Sequence, residues 1–77
     1  MNLARDPKQI GNVIRVARKR KGWSQGELAK RSGLRQGTVS LIETGSPATK
    51  IQTLLAILAA LDLELQIPPR SKQFVEG

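Results

Sequence analysis

The chain has 77 residues with no cysteine and no histidine, which excludes disulfide staples, removes the usual zinc ligands and leaves no serine–histidine or cysteine–histidine catalytic pair. A fold of this size buries only about 60% of the surface its unfolded chain exposes, so the sequence reads as one small domain that a partner chain would strengthen. Lys and Arg number 13 against 6 Asp and Glu, a net charge of +7, which points to a polyanionic partner, nucleic acid above all; the missing cysteine and histidine, with only 6 acidic residues spread along the chain, argue against an enzyme, a metal site or a cofactor.

Asp6-Pro7 is a helix start, a capping carboxylate followed by proline at the first helical position. Ile10, Val13, Ile14 and Ala17 follow at the spacing of one helical face and Gly22 reads as the stop, so helix 1 is predicted from Pro7 to Lys21. The cations Arg15, Lys19, Arg20 and Lys21 do not share a face at about 3.6 residues per turn and are read as a background field. Arg18 differs, lying one turn from Ile14 on the inner edge. Ser24-Gln25-Gly26-Glu27 has the form of a capping box, with Trp23 placed to staple onto Leu28. Helix 2 is predicted over Gln25–Ser32 with Gly33 as its stop. Helix 3 is predicted over Gln36–Thr44, with Val39 and Ile42 inward and Gly45 as its stop. Two short helices joined by a tight turn containing glycine are the helix-turn-helix signature.

Thr49 is the expected cap of helix 4, whose apolar face of Ile51, Leu54, Leu55, Ile57, Leu58 and Leu61 is broader than a small domain needs. Asp62 ends it. Leu63, Glu64, Leu65, Gln66 and Ile67 then alternate apolar and polar with the period of a strand, closed by Pro68-Pro69. So short a strand cannot form a sheet alone. Its simplest partner is the same segment of a second copy, paired antiparallel across a two-fold, with Leu63, Leu65 and Ile67 over Leu54, Leu58 and Leu61. The expected divisions are an N-terminal arm (1–6), a helix-turn-helix domain (7–61), a dimerisation strand (62–68) and a flexible tail (69–77). No segment approaches the ~18 apolar residues of a membrane span, and the first residues hold no signal-peptide core, so a cytoplasmic location and no membrane contact are expected.

In a helix-turn-helix the second helix enters the major groove with its N-terminal residues at the base edges. Here those residues are Arg35, Gln36, Gly37, Thr38 and Ser40. Arginine suits guanine and glutamine suits adenine, while Gly37 and Thr38 are small enough for close approach.

The run Gly22-Trp23-Ser24-Gln25-Gly26-Glu27-Leu28-Ala29, with Ser32-Gly33-Leu34 and Thr38-Val39-Ser40-Leu41-Ile42-Glu43, resembles the Xre-type (Cro/cI-type) helix-turn-helix family. The resemblance covers Ile10 to Leu61. It implies an all-α, compact, λ-repressor-like bundle of four helices, lacking the family's last helix. It also implies a phosphate contact at Gln25, which would support Gln36, further phosphate contacts at Ser24, Thr44 and Lys50, and an ion pair between Arg18 and Glu43. Helix 4 running into Leu63-Glu64-Leu65 narrows the resemblance to HipB-like antitoxins. Those are homodimers whose strands pair across the two-fold, which repress their own operon and bind a HipA-like kinase toxin. The implied function is a repressor that binds palindromic double-stranded operator DNA as a homodimer, and the antitoxin of a HipBA-type pair. Two alternatives stand beside it: a phage-type or restriction-controller repressor without a toxin, and a toxin-inhibiting module with secondary DNA binding. A small RNA binder is disfavoured, because the aromatic content is 3% and base-stacking platforms need aromatic rings.

Overall fold

Four α-helices follow one another in the computed structural model, which describes residues 6–46 and 49–64: α1 Pro7–Arg20, α2 Gln25–Ser32, α3 Gln36–Glu43 and α4 Ile51–Ala60. The first two begin at side-chain caps. Asp6 Oδ1 accepts the backbone N–H of Gln9 at 2.8 Å, with Pro7 at the head of α1. Ser24 Oγ accepts the N–H of Glu27 at 3.0 Å. The capping box closes on this side only. Arg31, one turn on, donates from Nε to Glu27 Oε2 at 2.6 Å, a charge-assisted bond that draws the carboxylate away from the N-terminus.

The start of α4 departs from the expected cap. Lys50 holds the N-cap position and makes no side-chain bond to the helix. Thr49 Oγ1 instead donates to Ser46 O at 3.2 Å, the kind of local turn bond with which hydroxyls compete against capping.

All four C-termini close in one way. The N–H of Trp23 reaches Arg18 O at 3.2 Å, Leu34 reaches Ala29 O at 2.8 Å, Ser46 reaches Leu41 O at 3.0 Å and Leu63 reaches Leu58 O at 2.8 Å. This closure requires the preceding residue to be left-handed. Gly22, Gly33 and Gly45 supply it at φ 74°, 72° and 93°, and the fourth position is filled by Asp62 at φ 60°.

Ile14, Leu28, Ala29, Val39, Ile42, Ile57, Leu58 and Leu61 form the core. α1 meets α3 at Gly11, where an added Cβ would run into the carbonyl oxygen of Ile42 and lie 2.7 Å from that of Glu43. Trp23 is half-buried against the core that contains Leu28, with the Arg31 guanidinium 4.3 Å and Lys21 Nζ 5.3 Å from its ring centroid. Both distances suit cation–π attraction.

Among the described residues there is no strand. Leu63 packs against the core and Glu64 is exposed, both in irregular backbone. Leu65, Gln66 and Ile67 lie outside the described residues, as do most of the expected arm and all of the expected tail. No helix among the described residues is long and apolar enough to cross a membrane.

Candidate nucleic-acid interface

The turn Gly33-Leu34-Arg35 joins α2 to α3 and fixes which face of α3 points out. Val39 and Ile42 are buried. Gly37, Ser40, Leu41 and Thr44 follow at i, i+3, i+4 and i+7, so they share the opposite face. Arg35, Gln36 and Gly37 are exposed at the tip of the helix, Arg35 occupying its N-cap position. Ser40 is half-buried on the outer face, and Thr38 is half-buried on its flank beside Leu41. Gln36 Oε1 lies over Gly26, 3.6 Å from where a Cβ on that glycine would stand.

Glu43, at the far end of α3, is the centre of a buried polar network. Arg18 donates to it twice, from Nε to Oε2 at 2.7 Å and from Nη2 to Oε1 at 3.0 Å. Arg18 Nη1 donates to Trp23 O at 2.8 Å. Arg18 is 8% exposed and the Glu43 side chain 3%. The hydrogen bond to Glu43 raises the guanidinium pKa above the ordinary arginine value, outweighing the burial that lowers it. Gln25 Nε2 also donates to Glu43 Oε1, at 3.2 Å. The glutamine turns one N–H to a charged acceptor, which makes a stronger bond than a neutral one. A carboxylate only accepts, so Nε2 must face Glu43, leaving the second N–H of Nε2 and the Oε1 of Gln25 for an outside partner.

The other expected phosphate contacts are differently disposed. Ser24 is exposed; its Oγ accepts from Glu27 and its hydroxyl hydrogen remains to be given. Thr44 is exposed, but its hydroxyl donates to Leu41 O at 2.9 Å. Lys50 is exposed at the N-cap of α4. Arg35 and Lys50 therefore stand at the N-termini of α3 and α4, where neither helix has a side-chain cap. A cation is unfavourable beside the positive end of a helix dipole. An anion bound there would satisfy the open N–H groups and the cation together.

The model of the helix-turn-helix family matches residues 14–67. The chain belongs to that family. This helix-turn-helix protein is 36% identical over 61 residues to the antitoxin HipB of Escherichia coli O6:H1, across 79% of this chain and 65% of the relative. It thus spans just under two thirds of that relative's length. The solved HipA-HipB-O2-O3 complex matches with a TM-score of 0.81 and 32% identity, over 90% of this chain and 97% of the other. The restriction-modification controller protein C.AhdI from Aeromonas hydrophila matches with a TM-score of 0.67 and 36% identity, over 71% and 83%. The helix-turn-helix protein has the HipB fold and is related to HipB antitoxins and to restriction-modification controllers.

One residue of the outer face of α3 escaped the reading of the sequence. Leu41 is 61% exposed among Gly37, Ser40 and Thr44. Its signal was the helical spacing from Gly37, which puts an apolar side chain on an otherwise polar face.

Proposed function

We propose that this protein is a sequence-specific repressor that binds palindromic operator DNA as a homodimer, and that it is the autoregulatory antitoxin of a HipBA-type pair in the cytoplasm, with a HipA-like kinase toxin as partner. The observation that carries the DNA reading is the tip of α3, where Arg35, Gln36 and Gly37 are exposed while Val39 and Ile42 anchor the helix beneath. In this reading Arg35 and Gln36 pair with guanine and adenine edges. Gly37, Thr38 and Ser40 line the approach. Ser24, Gln25, Lys50 and Thr44 meet phosphates, Thr44 after releasing the Leu41 carbonyl. Residues 62–68 pair with their copy and hold two recognition helices about 34 Å apart, one turn of DNA. Repression is occupancy: bound dimer excludes polymerase, and no bond is made or broken.

The toxin partner is supported by the likeness to HipB and to a solved complex that contains HipA with HipB. A second reading, a controller-type repressor with no toxin, is favoured by the likeness to C.AhdI.

Enrichment of bound duplexes from a random pool, followed by titration of variants, tests the DNA reading. Gln36→Ala and Arg35→Ala should each weaken the enriched site by about 1–3 kcal/mol and random DNA less. Gln25→Ala should weaken both, since a phosphate contact carries no sequence information. Equal losses on both DNAs for Gln36→Ala would remove it as a reader. Co-purification with a kinase-like protein encoded beside this chain separates the antitoxin from the controller.

A further inference from the structure

We infer that Leu41 and Gly37 form an apolar notch that reads the C5-methyl group of a pyrimidine, thymine in unmodified DNA, giving the protein a specificity element beyond the hydrogen-bonding readers. The inference rests on the proposed operator binding.

Leu41 is 61% exposed, so folding gains little from its side chain. It nevertheless projects from the face of α3 opposite the buried Val39 and Ile42. Helical side chains lean toward the N-terminus of their helix and cover the turn before them. For Leu41 that turn begins at Gly37. An added Cβ on Gly37 would meet nothing within 4 Å, so space stands open about one helical turn before the leucine. In the inferred notch the backbone at Gly37 is the floor and the isobutyl group of Leu41, one turn on, is the wall. An isobutyl wall has nothing to offer a hydrogen-bonding base edge. The thymine methyl is the one apolar group that the major-groove edges of the four bases present. Seated in the notch, it would cover apolar surface on both partners. Cytosine would leave the space unfilled, and a purine edge would set a polar atom against the leucine.

The test uses the duplex enriched by the full chain, with each thymine replaced in turn by deoxyuridine, which deletes the methyl and keeps the base-pairing edge. Wild type should lose about fourfold in affinity at one thymine per half-site, the factor that burial of one methyl group carries. Leu41→Ala should bind this duplex more weakly than wild type does and show no such sensitivity, while melting at the temperature of wild type because the side chain is exposed. A parallel set of duplexes carrying 5-methylcytosine in place of cytosine identifies the source: a gain there that Leu41→Ala abolishes supports the notch with modified cytosine as the methyl donor. Equal sensitivity in wild type and Leu41→Ala, or no methyl dependence at any pyrimidine, overturns the notch and leaves operator binding intact. Failure to enrich any sequence overturns operator binding, and the notch with it.

Discussion

Arg18 and Glu43 close a bidentate ion pair between α1 and the end of α3, at 2.7 and 3.0 Å, and the same carboxylate holds the first residue of α2 through Gln25. Three helices are thereby keyed to one another behind the outer face of α3. Every strong hydrogen-bonding group in the pair has a partner: Arg18 uses its remaining Nη1 on the Trp23 carbonyl at 2.8 Å, and no buried side-chain polar atom among the described residues is left without one. Satisfaction matters here because a desolvated charge is tolerated only when its partners are complete. What the network contributes to function is orientation. It holds the end of α3 and the amide of Gln25 in place in the free protein.

Breaking that pair on one side is expected to be severe. Glu43→Ala leaves Arg18 charged and uncompensated, a loss of about 3–5 kcal/mol, comparable with the whole stability of a domain this small. Arg18→Met combined with Glu43→Leu removes both charges and should recover most of the loss. Urea denaturation of the single and double variants checks this; a double variant as unstable as the single would shift the weight from the ion pair to the bonds with Trp23 and Gln25. The pH dependence has a definite sign. Because Glu43 raises the Arg18 pKa, the stability Arg18 carries is complete below the ordinary arginine range and is lost only as pH rises through the raised value. No slope from Arg18 is expected near neutrality.

Gly11→Ala sets helix propensity against packing. In an open helix the change would stabilise by about 1 kcal/mol. Here the new methyl would collide with the Ile42 carbonyl oxygen and lie 2.7 Å from that of Glu43. Both are backbone atoms, so α1 and α3 would have to separate, and overpacking of this kind costs about 1–3 kcal/mol. The net expectation is a lower melting temperature, read by circular dichroism. A higher one would mean that the α1–α3 contact yields easily.

The starts of α1 and α2 and the three glycine stops could be read because they have local causes: Asp6 and Ser24 open α1 and α2, and a closure of this kind needs a left-handed residue. What failed involved competition between partners. Thr49 had the chemistry of a cap, but the Ser46 carbonyl took its hydroxyl. Glu27 had the spacing of a capping box, but Arg31 took its carboxylate. No periodicity links Arg18 with Glu43, which are 25 positions apart; only the family resemblance joined them. Leu41 was legible from its spacing to Gly37, but its exposure, 61%, is a property of the fold.

Asp62 is the one position where a closure is made without glycine. Its φ of 60° costs about 1 kcal/mol for a residue bearing a Cβ, less for aspartate than for a branched side chain. Its bond to Lys21, at 3.3 Å on a side chain 84% exposed, is screened by solvent and contributes little. Asp62→Gly should therefore raise the melting temperature, and Asp62→Val should lower it. If Asp62→Gly is destabilising instead, the tie to Lys21 carries more than an exposed pair normally does.

Lys50 offers a test in which stability and binding are expected to move in opposite directions. It occupies the N-cap of α4 with extended backbone, φ −75° and ψ 146°, and gives the helix no side-chain bond. Asparagine in that conformation can accept an N–H from the first turn and removes a cation from the positive end of the dipole. Lys50→Asn should thus stabilise the free protein by about 0.5–2 kcal/mol. If Lys50 meets a phosphate, the same change should weaken binding to enriched and random duplexes by the same factor, and the slope of log affinity against log salt should fall by about 1. Thermal melting without DNA and titration at several salt concentrations read the two effects separately. A variant that is more stable and binds with an unchanged salt slope would take Lys50 off the phosphate surface, leaving its cationic N-cap without a role in DNA binding.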